Sequence, residues 1–137
     1  MVLDLDALET SFDLVAPRGD ELVDTFYTRL FATAPAVKPL FAGTDLLEQK
    51  KMLPATLVLL RKSLRDLGAI VPKLRELGRR HAAYGAKPEH YPVVGEVLIA
   101  SMADVAGDAW RPEHERAWSA ALAVVAGAMV EGAVTAY

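Results

Sequence analysis

The chain contains no cysteine, which excludes disulfides, zinc fingers, iron–sulfur clusters and thiol nucleophiles together. A large excess of either sign of charge is lacking as well. The formal net charge of −3 argues against a surface dedicated to nucleic acid or to a membrane. No apolar run reaches the roughly 20 residues of a membrane span. The run from Ala120 to Val130 is interrupted by Glu131, and a buried core helix is the better reading. The start, Met1-Val2-Leu3-Asp4-Leu5-Asp6, has neither the basic residues nor the apolar core of a signal peptide, so a cytoplasmic location is expected.

Strand signals are missing too: no segment alternates polar and apolar residues with period two. Internal repeats and linkers are equally lacking. What is present is a hydrophobic content of 53% with 24% charged residues over 137 positions. That is enough for one core, and a single domain over 1–137 is expected. The apolar residues recur at helical spacing. Leu5, Leu8, Phe12 and Val15 form one stripe, closed by Pro17. Leu22, Val23, Phe26, Tyr27, Leu30 and Phe31 form a second. A short turn opens at Pro35, a residue suited to a first helical position, and ends near Phe41.

Asp45, with Glu48 three residues on, has the spacing of a capping box and predicts a long helix. Leu46, Gln49, Leu53, Leu57, Leu60 and Leu64 share one face of it, Pro54 lies inside it, and a break follows around Gly68. Leu74, Leu77, His81 and Tyr84 mark the next helix. Val94, Val97, Leu98, Met102 and Val105 line another that Gly107 ends, and Pro112-Glu113 opens the last. Seven or eight helices and no strand predict an all-α domain.

Charge is unevenly spread. Between Lys50 and Lys87 ten basic residues face only Asp66 and Glu76, so the remainder of the chain is strongly acidic. This stretch reads either as a solvated face or as a dock for an acidic partner.

Four positions break the apolar pattern. His81 lies on the stripe of Leu74 and Leu77, so its imidazole meets apolar surroundings, as a core residue or as a metal ligand. Zinc would need three or four ligands, and His90 and His114 fall on other elements without a carboxylate cluster. Tyr27 and Gln49 stand where leucine would pack more simply. Buried, each needs a hydrogen-bond partner or costs about 1–3 kcal/mol; the partner is a backbone carbonyl or a bound ligand. Glu131, a carboxylate within an apolar helix, needs a partner if buried and none if it faces solvent.

Taken together, Phe26-Tyr27, Pro35-Ala36-Val37-Lys38-Pro39-Leu40-Phe41, Gln49 with Leu53, Leu77-Gly78-Arg79-Arg80-His81, His90-Tyr91-Pro92-Val93-Val94-Gly95 and Val130-Glu131 resemble the single-domain bacterial haemoglobins and the haem domain of flavohaemoglobins. The resemblance runs over essentially the whole length. It implies a globin fold around a haem b pocket, with His81 as the proximal iron ligand and Phe41 packed on the haem face. It implies that Tyr27, Gln49 and Leu53 lie on the distal side, with Leu77, Val94 and Leu98 lining the pocket. It further implies that Tyr91 and Glu131 hydrogen-bond the outer nitrogen of His81 and make the imidazole more electron-donating. A plain hairpin would not bring Gln49 opposite His81, since they lie roughly 28 Å before and 20 Å after the break at 1.5 Å per residue. Steeply crossed globin helices would.

The sequence departs from these relatives in two places. Lys50 follows the glutamine where Vitreoscilla-type relatives have proline, and the loop after Phe41 is a little shorter. The flavin and nicotinamide reductase of flavohaemoglobins is not present by Tyr137, so a globin unit alone is expected, monomeric or weakly dimeric. The function implied is reversible binding of O2, NO and CO at ferrous haem, as in oxygen transport. The alternative is NO dioxygenation, a nitric oxide detoxification in which Tyr27, Gln49, Tyr91 and Glu131 assist and a separate flavoprotein reductase supplies electrons.

Overall fold

The structure, a computed structural model, describes residues 4–41, 46–83 and 85–135. Among them are six α-helices and no strand: α1 Leu5–Val15, α2 Gly19–Thr33, α3 Leu46–Lys62, α4 Val71–Ala83, α5 His90–Ala106 and α6 Pro112–Thr135. Four 3₁₀ segments join them, at Ala16–Arg18, Pro35–Phe41, Leu64–Ile70 and Gly107–Ala109. Residues 35–41 and 64–70 are the seven-residue pieces of 3₁₀ helix that bring the helical elements to the number expected.

The boundaries have local causes. The Asp4 carboxylate accepts the Ala7 N–H at 3.0 Å and caps α1. Pro17 lies in the 3₁₀ turn that follows α1. Gly107 closes α5 at φ +62°, a conformation that costs most other residues strain, and Pro112 starts α6. The third helix stops at Lys62, short of Gly68. The Ser63 N–H is shared between the Leu59 and Leu60 carbonyls at 3.1 Å each, and Asp66 N–H then bonds Ser63 O at 2.9 Å. Shared donors of this kind tighten a helix end into 3₁₀ geometry. Asp66 leaves the helical region altogether (φ −149°, ψ 61°), while Leu64 and Ile70 on either side are buried and hold the segment down.

Leu8, Leu30, Met102 and Trp118 are at the centre of the core, each essentially without exposure. One polar thread runs through it: Trp118 Nε1–H donates to Ser11 Oγ at 2.7 Å, and that hydroxyl donates to Ala7 O at 2.6 Å. The expected stripes of α1, α2 and α5 all supply buried residues to this core.

Two packing relations position the site. Helix α2 lies on α5, on α3 and on the 35–41 segment, whereas α4 lies chiefly on α6. Because α5 also packs on α6, these two long helices form the base that carries α2 and α4 as separate attachments. The basic middle of the chain is largely answered from within. Arg61 reaches Glu9 at 3.0 Å and Asp13 at 3.4 Å, and Arg65 reaches Glu9 at 2.8 Å and Asp6 at 3.5 Å. Its charge therefore serves in part to fasten α1 to the end of α3, although partly exposed pairs of this kind are individually weak. No helix among the described residues is long and apolar enough to cross a membrane.

Candidate functional site

On α4, Leu74 and Gly78 are buried and Leu77 and His81 half-buried. These four share one stripe of the helix, as spacings of three and four residues require, and at Gly78 the stripe meets the Met129 backbone of α6. His81 Nδ1 lies 2.8 Å from the Leu77 carbonyl oxygen, one turn back on the same helix. A carbonyl can only accept, so Nδ1 donates to it. Among the described residues no buried side-chain nitrogen or oxygen lacks a partner, which puts Nε2 at accessible surface. The result is an imidazole whose ring is oriented by its own helix and whose second nitrogen is open.

Tyr27 is buried on α2. Its ring meets Phe26 edge-on with centroids 5.0 Å apart and Phe31 in a tilted contact at 6.0 Å. Burial pushes its pKa up, so the group stays a neutral phenol and a hydrogen-bond donor. One turn before it, Asp24 takes a salt bridge from Lys50 at 3.1 Å. This pair ties the beginning of α3 to α2 and brings the backbone of Gln49, the neighbour of Lys50, into the Tyr27 region. Leu53 is half-buried one turn further along α3 and packs against the core. The side chains of Phe41 and Gln49, the loop residue Asp45 and all of Tyr84 lie outside the described residues. On α5, Val94 and Leu98 share a face, the first half-buried and the second buried.

The expected bond from Tyr91 and Glu131 to the outer nitrogen of His81 is not what the structure has. That nitrogen is taken by Leu77 O. The Glu131 carboxylate turns outward to Arg75 at 3.1 Å, with both side chains more than half exposed. The physical reason is proximity: a carbonyl four residues back on the same helix is within reach of the ring, and a guanidinium is a better partner for a carboxylate than a neutral imidazole. Tyr91 and Glu131 do come together, but as walls of an apolar groove of about 690 Å³ between α5 and α6, shared with Pro88, Gly95, Ile99 and Leu122. Burial raises the Tyr91 pKa as well.

The other histidines have structural work. His90 Nδ1 accepts the Lys87 N–H and His114 Nδ1 accepts the Arg111 N–H, both at 3.0 Å. Each thereby satisfies an amide at the start of its helix. No group of three or more His, Cys, Asp or Glu side chains that could hold a metal ion exists among the described residues. A group that brings its own metal and asks the protein for a single nitrogen suits His81. Leu77, half-buried and apolar one turn back, fits that demand.

Two residues had no packing role assigned from the sequence: Gly78, named only within the Leu77–His81 motif, and Gly132. A methyl group on Gly78 would run into the Met129 backbone carbonyl, and one on Gly132 into that of Arg75. The available signal was a glycine within a helical stretch, where it costs about 1 kcal/mol against alanine and so suggests a packing reason.

These features define a class: an all-helical protein in which one half-buried helix face offers a single imidazole held by its own backbone. The globin family profile matches residues 24–129, and the chain belongs to the globin family. It is 30% identical over 128 residues to a flavohemoprotein of Bacillus subtilis, covering 92% of this chain and 32% of that protein. To a flavohemoprotein of Rhodopirellula baltica it is 34% identical over 125 residues, covering 88% and 31%. The chain thus spans about a third of the length of these relatives. Among solved structures, a bacterial globin from Campylobacter jejuni superposes with a TM-score of 0.81 at 21% identity, over 96% of this chain and 94% of that one. An engineered carbene transferase from Rhodothermus marinus, a candidate nitric oxide dioxygenase, superposes at 0.87 with 22% identity, over 97% and 92%.

Proposed function

We propose that residues 1–137 form a haem b globin domain that binds O2, NO and CO reversibly, with His81 as its iron ligand. The observation that carries the proposal is the orientation of His81: Nδ1–H is engaged by Leu77 O at 2.8 Å, which leaves Nε2 as the nitrogen available to a metal. Haem, when bound, supplies the ferrous iron at which a diatomic ligand exchanges. The chain's own contributions are separate and modest. Leu77, Val94 and Leu98 offer apolar contact and exclude water. Tyr27, kept neutral by burial, donates a hydrogen bond into the distal space, Gln49 adds a second donor, and Leu53 limits the room. Phe41 packs on the flat face of the porphyrin.

Replacing the Tyr27 hydroxyl tests this division of roles. A net hydrogen bond of about 0.5–1.5 kcal/mol predicts that Tyr27→Phe speeds O2 release by roughly two- to twelvefold, while CO, a poor acceptor, leaves at nearly the original rate. Equal effects on both gases, or none on O2, would contradict the assignment.

A second reading is conversion of NO and O2, with one electron, to nitrate. It is favoured by the neutral buried phenol and by likeness to proteins named flavohemoproteins. The electron would come from a separate flavoprotein. The exposed Arg79 and Arg80 at the end of α4, both paired to Glu76, offer a basic approach beside His81. Nitrate formed in step with NADH consumption, in the presence of a flavoprotein reductase, would support this reading; NO consumption that stops after one equivalent would oppose it.

A further inference from the structure

Helices α4 and α6 approach backbone to backbone at two places, and the two are reciprocal. Gly78 of α4 faces the Met129 backbone and Gly132 of α6 faces the Arg75 backbone. Each glycine lies three residues from the point the other one touches, and the order reverses between helices, so the pair is an antiparallel crossing closed by one glycine from each side. Both glycines are buried. A Cβ at either would meet main-chain atoms of the opposite helix. Main chain cannot swing aside as a flexible side chain can, so the helices themselves would have to separate. The contrast lies on the same helix: Gly127 of α6 has nothing within 4 Å of the position its Cβ would occupy.

We infer that Gly78 and Gly132 are positioning residues for His81, setting the height and rotation of α4 from which the imidazole projects. This rests on the assignment of His81 as the haem ligand. Three observations connect the crossing to the ring. His81 is three residues beyond Gly78, less than one turn. The carbonyl that holds His81 Nδ1 belongs to Leu77, whose peptide bond leads directly into Gly78, so displacing Gly78 displaces the ring's anchor. And at roughly 100° per residue His81 projects about a quarter-turn round α4 from the line of Arg75 and Gly78. Its direction is therefore set by how α4 is rotated against α6. Elsewhere α4 rests mainly on the 64–70 segment, leaving this crossing as its principal seat.

The test uses haem-loaded protein in three variants: Gly78→Ala, Gly132→Ala and Gly127→Ala. The readouts are the rate of haem transfer to an excess of acceptor apo-globin and the iron–histidine stretching band of the ferrous form. Gly78→Ala and Gly132→Ala should lose haem about 10- to 100-fold faster, the range found when support of a metal-ligating histidine is removed, with a shifted or broadened band. Gly127→Ala should match the parent in both. A double-mutant cycle separates positioning from general loosening. In a His81→Gly background with imidazole supplied as a free ligand, ring and helix are no longer joined, and Gly78→Ala should then change haem retention by less than twofold.

An equal loss in both backgrounds overturns the inference, as does an unshifted band with parental retention. Failure of both glycine variants to fold, with Gly127→Ala intact, also overturns it, making the crossing a condition of folding rather than a seat for the ring. Parent protein that takes up no haem would instead remove the haem assignment beneath it.

Discussion

Ser11 shows how much of a core can depend on one hydroxyl. It is fully buried, donates to Ala7 O and receives the Trp118 indole N–H across a separation of 107 residues. Ser11→Ala would leave that N–H buried without an acceptor, at a cost of about 1–3 kcal/mol. The midpoint of urea unfolding should fall accordingly with an unchanged slope, and an unchanged midpoint would refute the thread's importance. At this scale the sequence was legible where a side chain stood out from its surroundings. His81 and Tyr27 interrupt apolar stripes and were recognisable on that ground. Ser11 was not, because its value is set by an indole far away in the chain. Glu131 stood out as well, yet its partner was misjudged: an exposed guanidinium on a neighbouring helix leaves no periodic trace. Nothing in the spacing of residues shows that a histidine will turn to the carbonyl of its own helix.

Helix ends were readable from punctuation. Pro17, Gly107 and Pro112 mark the end of α1, the end of α5 and the start of α6, each through a backbone restriction that acts locally. Gly107 has φ +62° and ψ −135°, outside the regions open to a β-carbon. Gly107→Ala should therefore destabilise the protein by about 1–3 kcal/mol, seen as a lower thermal midpoint with native helical content; a midpoint at or above the parent's would contradict the strain argument. The turn from Pro35 to Phe41 was readable from its opening proline, whereas the segment from Leu64 to Ile70 was expected only as a break around Gly68. Its 3₁₀ winding depends on the donor shared at Ser63 and on where Leu64 and Ile70 are buried. The close crossing of α4 and α6 was invisible for a related cause. A glycine announces freedom, and only the opposite helix reveals that it marks a contact.

At the level of the whole molecule, α5 and α6 form a base to which α2, bearing Tyr27, and α4, bearing His81, attach separately. Periodicity could count these helices but could not splay them; the resemblance to haemoglobins supplied that arrangement, and the superposition on solved globins bears it out. The charge imbalance along the chain was visible from composition, whereas its partial resolution into ion pairs between α1 and α3 required the fold. The central claim is that this arrangement holds haem through His81. Titrating hemin into the apo-protein while following the Soret band tests it directly. The account predicts saturation at one haem per chain with a sharp histidine-ligated spectrum, and loss of that spectrum in His81→Ala. A parent protein that never saturates, or a His81→Ala variant whose spectrum and retention match it, would contradict the claim.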